Sequence, residues 1–153
     1  MSRTTLALLA AAGSVGLLLG ALGFQYIGGL APCVLCIWQR WPHVVALIFA
    51  AAFLWRQNGA LAALAGLAAL TSAGVGVFHV GVEQGWWEGL LQCSVNTLSG
   101  VSAGDLLNTD VNVGAPAACD KVSWSLLGIS MPGWNVISST AVAGLWALVA
   151  RKA

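Results

Sequence analysis

Three long stretches of the chain contain no charged residue: residues 4–39, 57–82 and 122–150. Most of their side chains are apolar, and a helix needs about 20 apolar residues to cross the hydrocarbon core of a bilayer. We therefore predict four membrane-spanning helices, at about residues 5–27, 34–55, 60–82 and 132–150.

Polar residues mark the ends of these spans. Residues 57–59 (Gln-Asn-Gly) form a tight polar turn, so we expect spans two and three to form a helical hairpin. Ser130 followed by Pro132 is typical of a helix start, with a capping hydroxyl and a proline in the first turn. The pattern leaves a short loop at about residues 28–33 and a long loop at about residues 83–131.

The composition excludes a soluble domain. Hydrophobic residues make up 59% of the 153 residues and charged residues only 7%, whereas a soluble domain carries roughly 25% charged residues. The net charge of +1 excludes the basic footprint of a nucleic-acid-binding protein. We expect an all-α integral membrane protein, a four-helix bundle in the lipid bilayer that forms a single domain over residues 1–153.

Four basic residues predict the orientation: Arg3, Arg56, Arg151 and Lys152. With four spans, both termini and the connection after span two lie on one side, which the positive-inside rule makes cytoplasmic. Both loops, including the long one with all five acidic residues, then lie on the opposite, outer side. A cleaved signal peptide fits less well, because the first apolar run exceeds the roughly 7–15 residues of a signal h-region. Its removal would also place Arg56 and Arg151 on opposite sides.

All four cysteines fall on the outer side in this topology. Cys33 and Cys36 lie at the start of span two, and Cys93 and Cys119 lie in the long loop. An even number of cysteines outside the cytoplasm favours disulfides over free thiols. The natural pairs are Cys33–Cys36 and Cys93–Cys119, although four cysteines allow three pairings. A purely structural bridge is a fair reading for Cys93–Cys119, since it closes a long loop.

The Cys33–Cys36 pair favours redox chemistry instead. A two-residue loop restricts little chain entropy, whereas Cys-x-x-Cys spacing is usual for reversible redox sites. Pro32 suits the first turn of span two, so the thiols would lie at a helix N-terminus that favours thiolate. No metal site is predicted, because the second cysteine pair is 26 positions apart and the histidines lie elsewhere in the sequence.

Arg40 is the one basic residue inside a predicted span. Ionisable groups at membrane depth are costly and usually face a cavity or a partner. Cys33, Cys36, Arg40 and His43 follow helical spacing, which places them along one helix face. Arg40 is then about one turn deeper than Cys36, where it can stabilise a thiolate or an anionic ligand oxygen. The alternative is that Arg40 extends to the outer headgroups.

The two histidines allow more than one reading. His79 lies in the last turn of span three, at the level of Arg40. It is either an interfacial residue or a hydrogen-bonding, proton-carrying residue for a ligand between spans two and three. His43 is interpreted as a packing or interfacial residue.

These residues resemble a known family. Residues 32–40, Pro-Cys-Val-Leu-Cys-Ile-Trp-Gln-Arg, are similar to the first-loop motif of the disulfide bond formation protein B (DsbB) family of bacterial inner membranes. The four spans and the second outer cysteine pair also match, as do residues 124–126 and 130–135. The resemblance covers nearly the whole chain.

The resemblance implies a thiol:quinone oxidoreductase that reoxidises a periplasmic DsbA-like thiol oxidase and reduces membrane quinone, ubiquinone or menaquinone. Cys93 would receive the attack of the partner's thiolate, and Cys119 would resolve the mixed disulfide. Cys33–Cys36 would then be reduced, with Cys36 nearest the quinone. Arg40 matches the family's quinone-binding arginine, and His79 is a looser match. Some relatives carry a carboxylate where Gln39 stands.

Two alternatives remain at this point. A structural membrane protein with two stapling disulfides would explain the long-loop pair, but not the short Cys33–Cys36 loop beside Arg40. A quinone-coupled enzyme of the vitamin K epoxide reductase type uses analogous cysteine pairs. In that type the Cys-x-x-Cys pair is expected in a later span.

Overall fold

The computed structural model describes residues 1–90 and 118–152. This part of the chain contains four helices that are long and apolar enough to cross a membrane, as predicted. Their boundaries differ from those of the predicted spans by at most two residues. The helices are α1 (Arg3–Tyr26), α2 (Val34–Arg56), α3 (Gly59–Glu83) and α4 (Met131–Lys152).

The connection between α2 and α3 is the tight turn that the sequence predicts. Gln57 follows α2 in the left-handed conformation (φ 52°), and its N–H donates to Phe53 O. Asn58 caps α3, because its side-chain oxygen accepts the N–H of Ala60 at 2.9 Å. This cap satisfies one of the free N–H groups of the first turn of α3.

Small residues on α3 let the other helices approach closely. Ala62, Ala65 and Ala69 are fully buried in the core, and α3 contacts both α2 and α4. A Cβ atom at Gly76 would lie 2.8 Å from Val136 Cγ2, so only glycine fits where α3 meets α4. Close approach through small residues is typical of helix packing in membranes.

The outer faces of the helices carry large apolar side chains. Leu19 on α1, Ile48 on α2 and Leu67 on α3 are each more than half exposed. A protein in water rarely exposes extensive apolar surface, whereas a bilayer would cover it. This surface agrees with the prediction of an integral membrane bundle.

A short β-hairpin precedes α4, which the all-α prediction omits. Strand β1 (Ser125–Leu126) pairs antiparallel with β2 (Ile129–Ser130). Leu127 and Gly128 both have positive φ, 54° and 77°, as a two-residue hairpin turn requires. The hairpin leads directly into α4, which begins at Met131. Met131 N donates to the Trp124 carbonyl at 3.3 Å, which joins the start of α4 to the residue before β1.

Candidate redox site

Cys33 itself caps helix α2. It has extended backbone angles, and its Sγ accepts the N–H of Cys36 at 3.1 Å. Pro32 therefore precedes the cap, and its predicted place in the first helical turn is wrong. Cys33 and Cys36 are both free thiols here, so a disulfide between them stays a prediction. The side-chain hydrogen bond to Cys36, together with burial, raises the pKa of the Cys33 thiol above its ordinary value.

Cys119 lies against the first cysteine pair. Cys33 and Cys119 are buried in the same apolar cluster with Leu35 and Val82, and Cys36 packs against that cluster. Cys119 is disulfide-bonded, and Cys93 lies outside the described residues. The fold thus brings Cys119 close to two cysteines that precede it in the chain by 86 positions (Cys33) and 83 positions (Cys36).

His79 approaches this cluster from α3. Its Nε2 atom lies 3.6 Å from Cys33 Sγ, and its Nδ1 atom lies 2.9 Å from Gln39 Nε2. The backbone of Cys119 also hydrogen-bonds to the His79 ring. The ring is buried, with an exposed fraction of 3%, so the interfacial reading of His79 is wrong.

His79, although far from the cysteines in the sequence, lies beside them in the fold. The nearest ligand atoms of Cys33, Cys36 and His79 lie within 4.8 Å of one another, a spacing that a metal ion could bridge. A metal-bound histidine, however, normally donates its second ring N–H to an acceptor. Here the Gln39 amide nitrogen, a donor, faces Nδ1 of His79. The surroundings of His79 therefore do not suit a metal ligand.

A cavity of about 270 Å³ opens beside Cys36. Cys36, Arg40 and His43 line it from α2, as the helical spacing predicts, whereas Cys33, the fourth residue of that predicted face, is the N-cap of α2 and is not part of the wall. The other polar groups in the wall come from Gln39, His79 and Asn135. Apolar residues of α1, of α4 and of the segment around the hairpin complete it: Leu17, Leu18, Gly20, Ala21, Phe24, Trp124, Leu126, Met131, Pro132 and Trp134.

Arg40 is half-buried and is held by helix α1. Its guanidinium donates to Gln25 Oε1 at 2.6 Å and to the Ala21 carbonyl at 3.5 Å. These bonds turn the side chain toward the last turns of α1. The alternative in which it extends to the outer headgroups stays a prediction. Its Nε–H is buried and has no hydrogen-bond partner among the described residues. A buried donor without a partner is costly, so this N–H favours a ligand with an acceptor oxygen.

Sequence reasoning missed a polar network deeper in the bundle. His43 is buried rather than interfacial, and its ring bonds to Ser14 and Ser139. Asn135 joins this group to Gln39, because its Nδ2 donates to Gln39 Oε1 at 2.7 Å. The available signal was the presence of isolated polar residues inside otherwise apolar spans. Which of these polar residues pair with one another depends on how the four helices are rotated about their axes, and the sequence pattern does not give that rotation.

Comparison with known proteins agrees with this geometry. The family model described as "Disulfide bond formation protein DsbB" matches residues 3–149. The chain belongs to the DsbB family. A DsbB-family protein of Methylococcus capsulatus named "Disulfide bond formation protein B" is 36% identical over 129 residues, which cover 79% of this chain and 77% of the relative. Proteins of the same name from Saccharophagus degradans and Xanthomonas campestris are 34% and 33% identical.

The match to the Saccharophagus protein covers 86% of this chain and 83% of that relative, and the match to the Xanthomonas protein covers 88% of this chain and 82% of that relative. No solved structure matches the chain. Membership of the DsbB family, with four helices able to span a membrane, makes this a multi-pass membrane protein of disulfide bond formation. The family name implies disulfide oxidoreductase activity.

Proposed function

We propose that this protein reoxidises a DsbA-like periplasmic thiol oxidase and passes the electrons through its two cysteine pairs to membrane quinone. The observation that carries the proposal is the position of Cys33 and Cys36 between Cys119 on one side and the cavity on the other. Cys119 of the second pair is buried against Cys33, and Cys36 lines the cavity that Arg40 also lines. The second cysteine pair, which would deliver electrons, and the cavity, which would hold the electron acceptor, thus both adjoin Cys33 and Cys36.

The exchange steps balance without another oxidant. The partner's thiolate attacks the Cys93–Cys119 disulfide at Cys93, which forms a mixed disulfide and frees Cys119. The partner's second thiol then attacks this mixed disulfide, so that the partner's own disulfide forms and Cys93 is freed. The Cys93–Cys119 dithiol then reduces the Cys33–Cys36 disulfide in the same manner, through a transient bridge between Cys119 and Cys33. Each exchange transfers two electrons and two protons. The first leaves Cys93 and Cys119 as thiols, and the second restores their disulfide and leaves Cys33 and Cys36 as thiols.

The cavity has the chemistry that a quinone headgroup requires. Its walls are mainly apolar, with few polar groups, as is usual for small-molecule sites. The unpartnered Nε–H of Arg40 would donate to a quinone oxygen, and the ring of His79 would border the headgroup. When bound, ubiquinone or menaquinone supplies a two-electron, two-proton acceptor, and Cys36 is the thiol that faces it.

The orientation belongs to the same proposal. Arg3, Arg56, Arg151 and Lys152 place both termini in the cytoplasm by the positive-inside rule. The cysteines then face the periplasm of a bacterial inner membrane, where a soluble thiol oxidase meets them. Cys93, in the predicted loop at about residues 83–131, would react with that partner.

Trapping of a mixed disulfide tests whether the second pair reacts with a thiol oxidase. Replacement Cys119→Ala leaves Cys93 without its proposed partner, and its thiol attacks the oxidised partner's disulfide. We expect a covalent adduct on a non-reducing gel. Cys93→Ala is the matched control and should give little adduct, because Cys119 is fully buried. Absence of any adduct with Cys119→Ala would favour a structural protein with stapling disulfides.

A further inference from the structure

Polar side chains from all four helices form one hydrogen-bonded chain that ends at Cys33. It begins at Ser14 on α1 and crosses the bundle through neighbouring contacts of 2.7–3.2 Å before the final contact to sulfur at 3.6 Å. In order, its members are Ser14, His43, Ser139, Asn135, Gln39, His79 and Cys33.

Two backbone carbonyls determine which side chains donate and which accept in this chain of hydrogen bonds. Gln39 Nε2 donates to the Leu35 carbonyl at 3.2 Å, and Asn135 Nδ2 donates to the Ser72 carbonyl at 3.3 Å. A carbonyl oxygen only accepts, so neither amide can be turned around without loss of a bond. The second N–H of Gln39 therefore donates to His79 Nδ1, and Asn135 donates to Gln39 Oε1.

The same direction extends to the far end of the chain. Ser139 Oγ donates to Asn135 Oδ1 at 3.0 Å, so its oxygen accepts from His43 Nε2, also at 3.0 Å. The Nδ1 atom of His43 then accepts from Ser14 Oγ at 3.2 Å. Neutral histidine has one donor and one acceptor nitrogen, and both rings are therefore Nε2–H tautomers.

We infer that Gln39 and Asn135 are positioning residues that hold His79 as the Nε2–H tautomer, so that His79 donates a hydrogen bond to the Cys33 sulfur. The inference rests on the proposed function of the cysteine pair and deepens it. Cys33 Sγ lies within 4.8 Å of Cys36 Sγ, so the Cys33 thiol can direct its own proton toward the cysteine that lines the cavity. Hydrogen bonds aligned in this way polarise one another and favour the thiolate at Cys36.

The inference also changes the role of His79. Its Nδ1 accepts from Gln39, and its Nε2 faces the Cys33 sulfur. Neither nitrogen is left for a quinone oxygen. The His79 ring borders the cavity, while its hydrogen bonds act on the cysteine pair.

Nitrogen NMR of the reduced protein tests the tautomer directly. The chain has only two histidines, so labelling with [¹⁵N]histidine gives two ring spin systems, and His43→Asn identifies which is which. We expect His79 of the unaltered protein to be neutral, with its proton on Nε2 at pH 7. A proton on Nδ1, or on both nitrogens, would overturn the inference.

The reactivity of Cys36 provides a second test that needs neither partner nor quinone. Gln39→Met keeps the size of the side chain but removes the donor to His79 Nδ1. We expect alkylation of the reduced first pair by iodoacetamide at pH 7 to slow by about three- to tenfold, the scale of one neutral hydrogen bond. Gln57→Met is the matched control, because Gln57 is remote from this chain of hydrogen bonds.

The two results separate this inference from the proposed function. An unchanged alkylation rate in folded Gln39→Met would overturn the positioning role, even if quinone-dependent activity persists. A slowed rate would support it, even if no quinone reduction is found. Circular dichroism verifies the helical content of each variant, including His43→Asn, which is used only to assign the two ring spin systems.

Discussion

The guanidinium of Arg40 donates to Gln25 Oε1 at 2.6 Å and so joins the second turn of helix α2 to the last turn of helix α1. This bond, with a second to the Ala21 carbonyl, occupies both terminal nitrogens. The Nε–H is left buried in the protein without a partner among the described residues. An acceptor oxygen in the adjoining cavity would satisfy that donor.

Arg40→Ala is therefore expected to weaken quinone binding while leaving the disulfides able to form. Hydrogen bonds to charged groups contribute roughly 1.5–3 kcal/mol, so the KM for quinone should rise about tenfold or more. Steady-state reduction of a water-soluble quinone measures it. Arg56→Ala, at the opposite end of α2, is the control, and an unchanged KM for Arg40→Ala would remove Arg40 from the site.

Cys36→Ser is expected to separate the two halves of the electron path. The serine hydroxyl cannot accept electrons from the second pair or pass them on, so quinone reduction should fall to the background rate. A single exchange between the partner and Cys93–Cys119 should persist, because that step does not use Cys36. Rapid acid quenching and thiol labelling would follow both, and quinone reduction by Cys36→Ser would contradict the proposed path.

Gly76→Ala is expected to destabilise the bundle. The new Cβ would meet Val136 Cγ2 at 2.8 Å and the Pro132 carbonyl at 3.3 Å, and overpacking of this kind costs about 1–3 kcal/mol. Thermal unfolding in detergent measures the effect. Gly74→Ala on the same helix is a matched control, since its Cβ would meet nothing within 4 Å. Equal stability of the two variants would contradict the close packing of α3 on α4.

Reporter fusions test the proposed orientation. Fusions after Arg56 and after Arg151 should report the cytoplasm, because the positive-inside rule keeps both basic ends inside. A fusion after Asp120, which is exposed and follows Cys119, should report the periplasm. A periplasmic signal after Arg56 or Arg151 would overturn the topology.

Local features of the sequence predict the helices but not the bonds between them. Long apolar runs give all four helices, although the second contains Arg40, and the spacing of Cys36, Arg40 and His43 gives the face that lines the cavity. The hairpin at Ser125–Ser130 is missed because strands of two residues carry no alternating pattern. The bond from Asn135 to Gln39 joins α4 to α2, and only the rotation of the packed helices reveals it.

The most direct test of the central claim is quinone-dependent oxidation of a reduced DsbA-like thiol oxidase by the purified protein in detergent. The account predicts that one partner disulfide appears for each quinone reduced, and that omission of either quinone or protein stops the reaction. Failure to oxidise the partner, or oxidation at the same rate without quinone under anaerobic conditions, would contradict it.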